Sequence, residues 1–294
     1  NGGGSYTVAR ENLGKPVGLV AAAALMIDYV LTAAVSATAG VAAIASAFPT
    51  LWPYKVPLAL LLIAIITLAN LRGLRESGTL MTIPVYLFLG SYLLMLGYGA
   101  VKAVTEGPGS LAVSAPAAVE PVTLFLVMHA FASGCTALTG IEAISNGVPA
   151  FKHPESKNAG LTLIVMATLM GILFAGSVGL SQYFAVMATS EETILSALTH
   201  RIVGSGTPYL IVQLSTLLIL TVAANTSFAD FPRVASILAR DGCMPRQFAQ
   251  IGDRLVFSNG ILTLGGLACL LIILFNGDTH ALVPLYAVGA FLAF

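Results

Sequence analysis

The sequence predicts an all-α, polytopic membrane bundle with one discontinuous helix, and three observations lead there. The 294 residues are 57% hydrophobic and 9% charged, with a mean hydropathy of +0.92. A soluble domain carries roughly a quarter charged residues, so lipid must solvate most of this chain. Apolar runs of membrane-spanning length recur from end to end. The Lys and Arg residues fall in two groups that alternate between those runs.

A transmembrane helix needs ~20 largely apolar residues. In order, the runs are Val17–Ala47, Pro53–Leu71, Thr79–Val101, Val122–Val148, Asn158–Met187, Pro208–Pro232, Val256–Phe275 and Ala281 onward. With the N-terminus inside, the inner connections hold Arg10, Lys15, Arg72, Arg75, Lys152, Lys157, Arg233, Arg240, Arg246 and Arg254. The outer ones hold Lys55, Lys102 and Arg201. Ten against three obeys the positive-inside rule, and a wrong span count would scramble the alternation. The outer connection from Ala188 to Thr207 contains Ile194-Leu195-Ser196-Ala197-Leu198, which predicts a short helix lying in the interface. No stretch suits a soluble domain, so 1–294 reads as a single transmembrane domain of about eight segments. The opening Asn1-Gly2-Gly3-Gly4-Ser5 and the apolar close at Phe294 predict further helices on both sides. Cys135, Cys243 and Cys269 are widely spaced and form no zinc or disulfide framework.

Ionisable side chains at membrane depth are costly, so each is a functional candidate. Asp28 lies ~16 Å into the first segment at a helical rise, close to the midplane of a ~30 Å hydrocarbon core. Thr32 and Ser36 follow it at i+4 and i+8, with Tyr29 at the edge of the same stripe. A polar stripe on an apolar helix faces a site or a water-filled path. The rival role for Asp28, tying two helices together, would be filled by a hydroxyl at lower desolvation cost.

Glu142 is the second candidate. The run Ser133-Gly134-Cys135-Thr136-Ala137-Leu138-Thr139-Gly140-Ile141-Glu142 interrupts an apolar segment with glycines and hydroxyls. Glycine weakens a helix, and Ser and Thr satisfy the backbone groups that a break exposes. The expectation is an outer half-helix to about Ser133, an unwound bridge, and an inner half from about Gly140 with Glu142 in its first turn. Unwound carbonyls and half-helix ends of this kind build ion sites at the midplane. A small-residue packing stripe with a structural Glu is the alternative. In the sixth segment, Asn225-Thr226-Ser227 is a further polar cluster, and Asp230 is expected to pair with Arg233 near the inner surface.

Three motifs carry a resemblance. Gly2-Gly3-Gly4-Ser5-Tyr6 resembles the loop between helices two and three of amino acid–polyamine–organocation (APC) superfamily transporters. Gly140-Ile141-Glu142-Ala143 through Pro149-Ala150-Phe151-Lys152-His153-Pro154-Glu155 resembles the inner half of their broken sixth helix and the loop after it. Ser236-Ile237-Leu238-Ala239-Arg240-Asp241-Gly242-Cys243-Met244-Pro245 resembles the inner end of helix eight. The resemblance implies the LeuT-like fold of two inverted five-helix repeats, of which this chain would supply about helices three to ten.

Within the superfamily, the stretches Met26 to Ser36 and Cys135 to Gly147 look most like the KUP/KimA-type potassium importers. That likeness implies alternating-access potassium import, by proton symport. The implied cation-binding residues are Asp28, Tyr29, Thr32, Ser36, Thr136, Thr139 and Tyr286, with potassium at Asp28, Thr32 and Thr139. Glu142 and Asp28 would couple protons, since a carboxylate desolvated at the midplane exchanges protons near neutral pH. No cofactor, no enzymatic activity and no nucleic-acid partner are expected. The expected surroundings are the lipid of a bacterial-type plasma membrane, with the N-terminal end cytoplasmic and a homodimer in the full-length protein. The alternative function is a proton-coupled amino-acid or polyamine permease of the same superfamily. The third segment's lack of a Lys before Lys102 weakens a Lys-switched version of that mechanism.

Overall fold

The computed structural model describes residues 4–73, 78–106, 123–135, 151–186, 192–250 and 256–293, with single positions at 140, 144, 148 and 252. Among the described residues the chain is helical and has no β-strand. The helices are α1 (Gly4–Leu13), α2 (Lys15–Ala47), α3 (Lys55–Leu71), α4 (Gly78–Glu106), α5 (Leu124–Cys135), α6 (Glu155–Tyr183), α7 (Ile194–Val203), α8 (Thr207–Arg240), α9 (Ser258–Leu274) and α10 (Thr279–Ala293). A 3-10 turn over Pro49–Tyr54 joins α2 to α3. Among the described residues, five helical segments are long and apolar enough to cross a membrane. The protein is a polytopic α-helical membrane protein, because in lipid every backbone donor and acceptor must be satisfied within its own helix.

The segment before the first span is a helix where the resemblance implied a loop. Gly14 ends α1 at φ 95° and Pro16 opens α2, so the chain turns sharply and α1 folds back on α2. Gly18 makes the contact, since a Cβ there would meet the Cβ of Arg10 at 2.8 Å and its Cα at 3.0 Å.

Helices α2 and α8 form the centre, with α3, α9 and α10 packed on α2 and with α4 and α7 on the far flank of α8. They run antiparallel: Tyr209 at the start of α8 donates to the Ser46 carbonyl at the end of α2 (3.2 Å). At the opposite end, Tyr6 donates to Asp241, just past α8 (2.6 Å). Ala33, Ala34, Ala37 and Ala45 on α2 are 0% exposed, and small side chains let the helix backbones approach closely. Where α9 crosses α8, a Cβ on Gly260 would sit 2.7 Å from the Pro232 Cβ and 2.8 Å from its Cα.

The end of the sixth segment differs from the sequence-based expectation. Helix α8 runs through Pro232 to Arg240 rather than stopping at Pro232. Its true end is a left-handed Gly242 (φ 74°), with the Cys243 N–H reaching the Leu238 carbonyl at 2.8 Å. Asp230 therefore lies ten residues before the helix ends, or ~15 Å along it. The short α7 forms where expected and packs one face on α4, α6 and α8, with Ser196, Leu198 and Thr199 0% exposed. The fourth segment is helical over Leu124–Cys135, residues 136–139 lie outside the described residues, and Gly140 at φ 104° is outside the right-handed helical region. The expected inner half, 141–150, lies almost wholly outside the described residues.

Candidate functional site

The polar stripe of α2 faces the interior of the bundle. Asp28 is 3% exposed, Tyr29 4% and Ser36 7%, whereas Ile27 on the other side of the same turn is 49% exposed. Thr32 is half-buried between them. Helix spacing puts these residues on one face, and much of the rest of α2 is covered too, with Leu25 and Leu31 each 1% exposed.

Tyr286, on α10, joins this face. The Thr32 hydroxyl donates to the Tyr286 hydroxyl at 3.1 Å, across 254 residues of sequence. Both oxygens keep lone pairs after this bond, because a hydroxyl has one proton and two acceptor positions. Helix α5 packs against the same α10 that carries Tyr286. Thr136, Thr139 and Glu142 lie outside the described residues, so the structure assembles Asp28, Tyr29, Thr32, Ser36 and Tyr286 of the expected set.

Two further polar groups along α2 were not singled out from the sequence. Thr38 is 3% exposed, donates to the Ala34 carbonyl at 3.0 Å, and accepts from the Thr279 hydroxyl of α10 at 3.3 Å. One signal pointed to it, the density of hydroxyls over Thr32, Ser36 and Thr38. Thr279 gave none, since its partner is 241 residues away. At the far end of α2, Ser46 accepts from the Thr193 N–H (3.2 Å), and Tyr209 lies 2.7 Å from Ser196. Asn225, from the polar cluster on α8, accepts from Asn70 on α3 at 2.7 Å, while Thr226 donates to its own helix at the Ala223 carbonyl and is exposed.

At the other end, Tyr6, Arg10 and Asp241 form one cluster. Arg10 forms a salt bridge with Asp241 and donates to the Tyr6 hydroxyl at 3.1 Å. Burial, then the bond to Asp241, pushes the Tyr6 phenol above its ordinary range, with Arg10 partly opposing. Tyr6 therefore stays a neutral donor and pins α1 to the end of α8. Among the described residues no group of three or more His, Cys, Asp or Glu is placed to hold a metal ion.

Comparison with known proteins adds a family. The sequence profile of the family described as amino acid permease matches residues 1–294. The chain is similar to "Potassium transporter KimA" of Bacillus subtilis (strain 168), with 48% identity over 295 residues, covering 100% of this chain and 49% of that protein. It is also similar to "Cationic amino acid transporter 4, vacuolar" of Arabidopsis thaliana, 25% identical over 244 residues, 81% of this chain and 39% of that protein. "Cationic amino acid transporter 3, mitochondrial" of the same plant is 26% identical over 162 residues, 54% of this chain and 26% of that protein. The chain thus spans about half the length of the first of these relatives.

Proposed function

Because the chain belongs to the amino acid permease family, we propose that it forms the substrate path of a secondary transporter, and that the substrate is potassium, imported with protons by alternating access. The observation that carries the reading is the buried oxygen-rich seam of Asp28, Tyr29, Thr32 and Ser36 on α2, linked to Tyr286 on α10. The 48% identity to a relative named as a potassium transporter points the same way.

The chemistry follows from the groups on that seam. A weakly hydrated monovalent cation exchanges its water for hydroxyl and carbonyl oxygens, and the Thr32–Tyr286 pair offers two such oxygens. A hydroxyl can hold such a hydrogen bond and still turn a lone pair to an ion. Asp28 supplies the opposite charge. An isolated carboxylate at the centre of a bilayer costs ~2.5–3.5 kcal/mol on insertion scales, and a bound cation or proton offsets that cost. Thr136 and Thr139, with their backbone carbonyls, complete the coordination from the broken helix. Glu142 takes the co-transported proton, and Asp28 shares that role. The end bearing α1 faces the cytoplasm of a bacterial-type plasma membrane, and the ten-to-three distribution of Lys and Arg supports that orientation.

A second reading has specific support in the family's description and in the two plant relatives named for cationic amino acids. The identities separate the two: 48% against 25% and 26%. The deciding experiment expresses the full-length protein in bacteria stripped of their own potassium uptake. Rubidium and labelled arginine entry are followed in parallel at micromolar concentrations. Rubidium uptake above the empty control, uncompeted by arginine, is expected. Arginine uptake without rubidium uptake would replace potassium with an amino acid.

A further inference from the structure

The seam between α2 and α10 continues past the candidate site toward the end that holds Ser46, Trp52 and Lys55. Two contacts close it. Thr32 meets Tyr286, and six residues further along α2, Thr38 meets Thr279. Six residues of helix rise ~9 Å, and the seven from Thr279 to Tyr286 rise ~10.5 Å, so the two contacts are rungs on one ladder.

Immediately beyond the Thr38–Thr279 rung lies a cavity of about 500 Å³. Its walls come from α2, the 3-10 turn, the start of α7 and the turn into α10, with Trp52, Lys55, Glu192, Asp278 and His280 contributing. Two carboxylates and one ammonium line it, so these fixed charges favour a cation. Glu192 is held in place by Ser196, which donates to it at 3.0 Å, and one oxygen of Asp278 accepts from the His280 N–H at 2.9 Å.

We propose that this cavity is the extracellular vestibule in which a hydrated monovalent cation is collected, and that the Thr38–Thr279 contact is the outer gate between it and the Thr32–Tyr286 oxygens. The proposal rests on the cation-import reading and its orientation, and adds the place of entry and the residues that close it. Two threonines suit the task. Thr38 already gives its proton to its own helix, so one hydrogen bond from Thr279 holds the rung, and a small separation of α10 from α2 opens it. A cation passing between them meets hydroxyl oxygens as it loses water, where an apolar gate would offer nothing in exchange.

The test uses the full-length protein in a background free of native cysteines, with Thr38→Cys and Thr279→Cys introduced together. Rubidium uptake is measured reduced, after oxidation, and after reductant is restored, with disulfide formation read by mass spectrometry. The gate predicts that cross-linking lowers uptake more than about tenfold, which 1.4 kcal/mol would account for, and that reduction restores it. Full uptake through the cross-linked protein would overturn the gate while leaving the import reading intact. Absence of rubidium uptake in the unmodified protein would overturn both. Two single changes guard against a pair that fails to fold. Thr279→Leu should lose uptake and Thr279→Ser should keep it, and equal uptake in both would reject the gate. A membrane-impermeant thiol reagent should also reach Asp278→Cys from outside, and reaction from the inside alone would reject the vestibule.

Discussion

Helices α2 and α6 are both long and both apolar enough to span a membrane, yet 18 of 33 residues of α2 are buried and only Ala159 is buried among the 29 of α6. Hydropathy does not separate them. Side-chain size does: α2 holds twelve alanines and α6 three, the latter carrying Leu, Ile, Met and Phe around its circumference. Lipid is as apolar as leucine, so no hydrophobic force draws a helix into the middle of a bundle. Close approach of backbones and satisfied polar groups do that, and α2 has both. The helix richest in alanine is therefore the one the bundle, and the candidate site, is built around.

The same substitution on both helices tests that difference most strongly. Ala34→Leu, at a position 0% exposed on α2, should cost ~1–3 kcal/mol by overpacking and visibly lower the melting temperature in detergent. Ala167→Leu, on the exposed side of α6, should stay within ~0.5 kcal/mol of the parent. Equal losses would mean that α6 is as tightly packed as α2 in the working protein.

Threonines offer the functional version of the comparison. Thr32→Val should lower rubidium uptake about tenfold, equivalent to ~1.4 kcal/mol, with little change in abundance. Thr168, exposed on α6 and bonded to its own helix at the Ile164 carbonyl, should tolerate the same change in uptake assays.

A smaller effect is expected at alkaline pH, at the end of α2 and α8 that Tyr6 joins. Its raised pKa means the folded protein holds that proton more tightly than the unfolded chain. The stability this provides is complete below about pH 10 and is lost as pH rises through the raised value. Tyr6→Phe has no such proton, so thermal melts of the variant should decline less steeply above about pH 10 than those of the parent. Smallest of all is Gly171→Ala on α6, where an added Cβ meets nothing within 4 Å. It should be neutral or raise stability by up to ~1 kcal/mol through helix propensity.

Much of this was legible in the sequence because it is periodic. The apolar runs locate the helices, and the i, i+4, i+8 spacing of Asp28, Thr32 and Ser36 fixes them to one face before any partner is known. That face is buried, as the cost of exposing a carboxylate to lipid requires. Helix ends were less legible. Pro232 resembles a stop, but its ring is accommodated where Gly260 lets α9 pass close by, and the helix ends at Gly242 instead. Helix α1 was missed because its opening glycines suggest a loop, while what fixes it is Tyr6 reaching Asp241, 235 residues away. Tyr286 was implied by the family resemblance alone, and the contacts that bring it to Thr32 and Thr279 to Thr38 span sequence distances that a single sequence does not encode locally.

Asp28→Asn is the most direct test of the central claim, that the buried polar face of α2 is the cation path. The full-length protein and this variant would be compared for rubidium uptake at micromolar external cation and equal membrane abundance. Asparagine keeps the size and shape of the side chain and removes the charge, exchanging one acceptor oxygen for an amide donor. The account predicts uptake reduced to the level of the empty control. Undiminished uptake would contradict it and move the cation path away from α2.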